Sequence, residues 1–267
     1  MQKRGQLTIF VLAAILILVG IATVIFFVNK SQTDTVTDDY FKQQSIRTQV
    51  DNIREYTADC IDSVTKESLI LVAVQGGYFT PPSRIFSYSP IFFPYYYYEG
   101  QINLPTLENI QKELGKSTND KIIKCLEAGN FTGFNLDFKD PKTDVVITKQ
   151  NAYFEIDMPL EIEKEGHKMI IELDDFSINH NSSLFEMYEI AAYMTNSHKE
   201  DSEYYCISCV ADMAKDRNLY VYLFPNIANE LITGVMIYEN TTGIADPYSF
   251  IFFNKYTGEE KTPKLDV

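Results

Sequence analysis

Leu7 to Val28 reads LTIFVLAAILILVGIATVIFFV, 22 residues without a charge. As a helix rising about 1.5 Å per residue it is roughly 33 Å long, enough to cross a bilayer core. A buried core helix of this length would show polar breaks or an amphipathic face, and this run has neither. The run predicts a transmembrane helix over 7–28. Lys3 and Arg4 precede it. The positive-inside rule then leaves residues 1–6 as a cytoplasmic tip and sends the rest of the chain outside. A cleavable secretory signal would have a shorter apolar region and a small-x-small end. This span ends IFFVNK, so the expectation is an uncleaved signal anchor held in the lipid bilayer through residues 7–28.

The charge balance narrows the partners. Setting aside Lys3, Arg4 and Lys30, the 23 basic residues fall to 20 against 37 acidic ones, or −17 for residues 31–267. A body this acidic repels phosphate backbones, which disfavours nucleic acid as a partner. Hydrophobic residues make up 45% of the chain, which suits a domain with a real core rather than disorder.

The opening KRGQLTIF sets a basic pair, Gly5 and Gln6 at the head of the apolar run. It resembles the class III (prepilin-type) leaders of archaeal pilins. In that family the peptidase cuts after the glycine, and a glutamate at the fifth mature position guides subunit docking. Here that position is Phe10. The same opening, with Cys60, Gln75-Gly76-Gly77-Tyr78 and Cys125 further on, is similar to a group of uncharacterised single-span surface proteins of archaea. The resemblance implies a location at the cell surface and no activity.

Residues 29–45 are polar and read as a juxtamembrane linker, and 46–267 as one extracytoplasmic α+β domain. From Ile46 the apolar spacing turns helical, with Ile46, Val50, Ile53, Cys60, Val64 and Leu71 on one stripe and Thr57 filling its gap. This predicts a long amphipathic helix ending at Gly76-Gly77. Residues 78–105 hold five prolines and read as irregular. Within them Tyr95, Tyr96, Tyr97 and Tyr98 cannot all face one side of a strand. They form a candidate aromatic contact patch for sugar, lipid headgroup or protein.

A second helix is expected from Thr106 to Ala128, with Leu107, Ile110, Leu114, Ile122 and Cys125 on its apolar face and Gly115 as a weak point. Residues 143–149, 151–166 and 167–173 read as strands, with a hairpin turn at Glu165-Gly166. Ser183-Leu184-Phe185-Glu186 reads as a capping box, and a short helix follows over 203–215. The strands LYVYLF, ELITGVMIY and YSFIFFNKY end the chain. The fold class is α+β with a mainly antiparallel sheet.

Four cysteines, Cys60, Cys125, Cys206 and Cys209, predict two disulfides in an exported body. Cys60 and Cys125 lie on the buried stripes of consecutive helices, which favours pairing them. A link from either to the Cys206–Cys209 segment is the competing connectivity. The lone CxxC follows a helix and an acidic turn in this reading, and a redox motif wants a strand before it and a helix after it. His198 stands near it, but no set of zinc ligands is spaced for a site, and no metal or cofactor is expected.

Asn130, Asn181 and Asn240 begin sequons in expected loops, where a glycan would fit. Glu161 and Glu163 alternate with Leu160 and Ile162, as on the wet face of a strand. Asp174-Asp175 and Asp201/Glu203 are further acid pairs. The chain has no GxSxG, HExxH, P-loop, Rossmann or EF-hand pattern. The reading is a noncatalytic, membrane-anchored surface protein with an interaction or envelope-structural role, whose body meets a protein or glycan. A pilin-like filament subunit and an extracytoplasmic enzyme working through the CxxC are the alternatives.

Overall fold

A computed structural model describes residues 44–171, 176–198, 204–225, 227, 231–240, 248–257 and 264–265. The expected anchor over 7–28, most of the linker and the acid pairs Asp174-Asp175 and Asp201/Glu203 lie outside the described residues. Among the described residues no helix is long and apolar enough to cross a membrane.

The first half of the chain runs α1 (Gln44–Val74), β1 (Ile85–Tyr88), β2 (Ile91–Tyr98), β3 (Gln101–Ile102), α2 (Leu107–Ala128), β4 (Asn135–Phe138), β5 (Lys142–Ile147), β6 (Asn151–Asp157), β7 (Leu160–Lys164) and β8 (His167–Ile171). The second runs β9 (Phe176–Asn181), α3 (Leu184–Ser197), β10 (Tyr204–Tyr205), α4 (Ile207–Asp216), β11 (Leu219–Phe224), β12 (Ile232–Glu239), β13 (Ser249–Lys255) and β14 (Lys264–Leu265). The class is α+β, and the strand pairing is mainly antiparallel. The pairs β2–β13 and β10–β14 run parallel.

The described chain packs as two compact units. The smaller takes residues 44–55, 131–137 and 160–171. Its sheet has the order β4-β7-β8. Glu165 and Gly166, at φ 50° and 81°, make the tight turn of the β7–β8 hairpin. Glu161 and Glu163 stand on its outer side against Lys168, at 2.5 and 3.9 Å. Leu160 and Ile162 are fully buried.

The larger unit takes 56–130, 138–159 and the described chain from 176 on. Cys60 on α1 is bonded to Cys125 on α2, with S–S 2.02 Å and Cα–Cα 6.0 Å. The Tyr56 hydroxyl donates to the Cys125 carbonyl at 2.9 Å. Thr106 caps α2 by accepting from Asn109 N–H, and α2 packs on β5 of the sheet β5-β6-β9. Gly115, expected to weaken α2, is its point of closest approach to that sheet: a Cβ there would lie 2.5 Å from the Thr143 carbonyl.

α1 ends in a left-handed turn at Gly76 and Gly77, φ 55° and 83°, with Gly77 N–H donating to Val72 C=O. A Cβ on Gly76 would meet Ile251 O at 2.6 Å and Pro94 Cγ at 2.7 Å, so the turn also lets the helix end sit against the main sheet.

Two local features differ from expectation. The capping box does not form: Ser183 Oγ donates to Glu239 at 2.6 Å, Ser182 Oγ takes the Leu184 N–H, and Glu186 pairs with Arg217. Longer-range partners outcompete the local motif. The sequon at Asn181, expected in a loop, begins on the last residue of strand β9.

Candidate functional site

The main sheet has six strands in the order β1-β2-β13-β12-β11, with β3 beside β2. The register assigns each side chain to a face. Directly opposite residues share a face, so Thr233, Val235 and Ile237 go with Asn254, Phe252 and Phe250. This is the inner face. Val235, Ile237, Phe250, Phe252 and Asn254 are sealed from water. Helices α3 and α4 cover it: α3 lies against β12 and β13, α4 against β11, and His198 at the end of α3 rests 4.8 Å from the Tyr97 ring.

The tyrosine run is the first surprise. Residues 78–105 do not stay irregular, and Tyr95–Tyr98 do not form a surface patch. Tyr95, Tyr96 and Tyr97 are 7, 0 and 3% exposed in a strand at the middle of the sheet. The reason is a register shift. Phe253 aligns with Tyr95, but Asn254 aligns with Tyr97, which leaves Tyr96 as an extra residue. A bulge of this kind breaks strict alternation. Tyr96 and Tyr97 both turn to the inner face, where Tyr96 stacks on Phe252 at 4.4 Å. Tyr95 and Tyr98 both turn outward and meet at 5.3 Å. Asn254 Oδ1 accepts the Tyr97 N–H at 3.1 Å, and the Tyr96 hydroxyl donates to Gly76 C=O at 2.9 Å. Burial pushes the Tyr96 phenol well above its usual range.

The opposite, outer face is the candidate site. By the same register it carries Phe86 and Tyr88 of β1, Ile91, Phe93, Tyr95 and Tyr98 of β2, Ile251 and Phe253 of β13, Ile232, Met236 and Tyr238 of β12, and Tyr220, Tyr222 and Phe224 of β11. A one-sided antiparallel sheet ordinarily alternates apolar with polar. Here the outer positions are almost all apolar or aromatic. Part of the face packs on itself: Phe253 stacks on Phe93 at 4.9 Å and meets Phe86 at 4.9 Å, and Ile227 packs against this cluster. The rest is open. Tyr88, Tyr220, Tyr222 and Phe224 are 65, 49, 52 and 38% exposed. Their rings touch one another, Tyr220 with Tyr238 at 5.5 Å and Tyr222 with Phe224 at 4.5 Å.

The face has a cationic corner. Arg84 and Lys255 stand 4.6 and 5.1 Å from the Tyr98 ring. A hydrogen bond to Glu99, then the neighbouring Tyr98, raises the Lys255 pKa despite some desolvation. Beyond the Arg84 and Lys255 corner with Glu99, and Ser249 at the start of β13, the described residues of this surface are apolar or aromatic. What it offers is apolar area, ring faces and tyrosine hydroxyls. A signal for it was present in the sequence: LYVYLF and YSFIFFNKY are apolar at odd and even positions alike, the pattern of a strand apolar on both faces.

At the sheet edge the inner side also opens. A groove of about 490 Å³ runs between α4 and β11, lined by Ile207, Val210, Ala211, Ala214, Leu219 and Val221 among others. Asn240 sits at its rim, with its amide donating to Asn218 Oδ1 at 3.1 Å, so this sequon asparagine is half-buried. Asn130 is exposed after α2, and Asn181 is exposed at a strand end. A second groove of about 620 Å³ lies between α2 and β5. Four of its charges pair, Lys112 with Glu108 and Lys116 with Glu113, and Asp144 also lines it. Burial alone would raise the Glu113 pKa. Hydrogen bonds from Lys116 and from the Thr80 and Phe79 N–H groups outweigh it and lower the pKa.

Cys206 and Cys209 are bonded to each other. Their setting differs from the expectation. α3 precedes them, as expected, but β10 stands between, and Cys206 caps α4 instead of lying inside a helix over 203–215, with its Sγ accepting the Cys209 N–H at 3.3 Å. Comparison with protein-family models, with characterised proteins and with solved structures gives no match for this chain.

Proposed function

We propose that the protein is a membrane-anchored extracytoplasmic surface protein with a noncatalytic interaction or envelope-structural role, and that the outer sheet face is its contact surface. The observation that carries this is the open row Tyr220, Tyr222 and Phe224 continuous with Tyr238 and the Phe253 cluster. Contiguous exposed aromatic area of this kind marks interaction surfaces. Location rests on the uncharged run 7–28 behind Lys3 and Arg4, and the two disulfides fit an oxidising compartment. The test has two arms in cells making the full chain. Protease added outside should digest the body, and full protection would overturn the topology. Chemical cross-linking should capture neighbours of the body. Replacing Tyr220, Tyr222 and Phe224 with Ser should remove those adducts while the fold persists, and unchanged adducts would overturn the contact surface. A mature chain beginning at Gln6 would favour the pilin-like alternative.

One observation favours a second reading. A CxxC between a strand and a helix start has the local setting of a thiol–disulfide exchange site, where the N–H groups stabilise a thiolate. A substrate thiolate would attack the Cys206–Cys209 bond, forming a mixed disulfide and releasing one cysteine thiolate. A second substrate thiol would then displace the other, leaving an oxidised substrate and a reduced pair. Equilibration with glutathione separates the readings. A pair that stays oxidised in millimolar reduced glutathione is structural.

A further inference from the structure

We infer that β11 is a self-association edge, at which two copies of the chain join their main sheets antiparallel about a two-fold axis. This rests on reading the outer face as a contact surface, and it names the occupant as a second copy.

β11 ends the sheet, and among the described residues it pairs only with β12. No described strand takes the N–H and C=O groups of its other edge, whose geometric complement is another extended strand. Exposed edges are ordinarily protected by lysine, proline, an inward charge or a bulge. LYVYLF has none of the side-chain devices, and its register with β12 runs unbroken from Leu219 to Phe224. LYVYLF carries no charge, so no like charges stand opposite one another where two copies of the strand would meet.

The strand also matches itself side by side. Face-preserving antiparallel registers are centred on a single residue rather than between two. A two-fold on Tyr222 sets Tyr222 opposite Tyr222 of the second copy, Tyr220 opposite Phe224 and Val221 opposite Leu223. A two-fold on Val221 sets Val221 opposite itself, Tyr220 opposite Tyr222 and Leu219 opposite Leu223. Either way aromatic rings meet rings on the outer face and aliphatic chains meet aliphatic chains on the inner face, the pairings that stabilise neighbouring strands. The aromatic row becomes the middle of a doubled surface. The inner-side groove between α4 and β11, with Ala211 and Ala214 on its wall, borders the same strand.

The experiment uses the full chain in its membranes. Tyr222→Cys and Val221→Cys are made singly and oxidised mildly, with Ile170→Cys on β8 as the exposed control, 60% accessible. A cross-linked dimer from Tyr222→Cys or Val221→Cys, absent from Ile170→Cys, is the expected result. Adding Tyr220→Lys puts a charge in each strand at the seam and lowers dimer yield about tenfold. Circular dichroism of the purified Tyr220→Lys chain should match the parent, since Tyr220 is exposed. No dimer at either position, dimer equally at Ile170→Cys, or dimer indifferent to Tyr220→Lys overturns the inference. Adducts at these positions to a different polypeptide also overturn it, while leaving the contact surface itself standing.

Discussion

On one face of the six-stranded sheet, Phe250, Phe252, Val235 and Ile237 are sealed from water; on the other, a residue away along the same sheet, Tyr220, Tyr222 and Phe224 are 49, 52 and 38% exposed. The two faces are made of the same residue types. What separates them is cover: α3 and α4 supply a second layer to the inner face, while the outer face packs on its own rings and Ile227. Apolar side chains show that a surface gains by leaving water, and the layers of the fold decide whether it does so within one molecule. The outer face is the remainder that a partner can complete.

Truncating one ring on each face challenges this contrast most directly. Phe252→Ala removes a buried ring stacked on Tyr96 and should cost about 3–5 kcal/mol, read from chemical denaturation. Phe224→Ala should cost less than about 1 kcal/mol. Equal losses would mean that the outer face is as internal as the inner one.

The disulfide tests whether β2, which serves both faces, is held from outside the sheet. Cys60 and Cys125 are 65 positions apart and enclose a segment that includes β1, β2 and β3. Replacing both with Ala should lower stability by roughly 4 kcal/mol in the chain-entropy account. A melt unchanged by the double substitution would show that sheet pairing alone secures this segment.

Glu113 gives a smaller, pH-dependent effect in the turn leading to β1. Its folded pKa is lowered from 4.5, so its contribution is present above that value and is lost as pH falls through the lower, folded one. Glu113→Gln should therefore reduce stability at pH 7 and flatten the acid limb of the stability curve. A parallel curve merely displaced downward would assign the loss to packing.

Smallest in stability is Tyr222→Ser, expected within about 0.5 kcal/mol of the parent. Its effect should appear in association, as weaker self-association by sedimentation of the full chain in detergent, with the melting curve almost unmoved.

The helical elements were legible because their periodicity is long. The stripe Ile46, Val50, Ile53, Cys60 and Val64 is buried, although farther along α1 burial moves to Ser68, Leu69 and Val72 while Leu71 is half-buried. The Glu165-Gly166 turn and the last three large strands were also readable from local chemistry. Tyr95–Tyr98 were not, because one extra residue in β2 reverses the alternation that strand reading depends on. β9 escaped because FSINHN has only two apolar residues among Ser and Asn, and its most buried position is a polar one, His180, held by Thr65 at 2.7 Å. For the candidate site, the apolar strands were visible, but the count of covering layers is a tertiary fact.

The parallel pairing of β2 with β13 joins residues far apart in time as well as in sequence. Tyr97 takes its side-chain partner from Asn254, 157 positions later, and strands β11 and β12 reach β2 only through β13. During synthesis the Cys60–Cys125 segment can be closed once α2 has emerged. The pairing of β2 in the main sheet has to wait for residues 249–255. A chain made in order leaves the aromatic strand β2 without its β13 partner until that strand is made. Early oxidation of Cys60 to Cys125 would confine that strand until β13 arrives to pair with it.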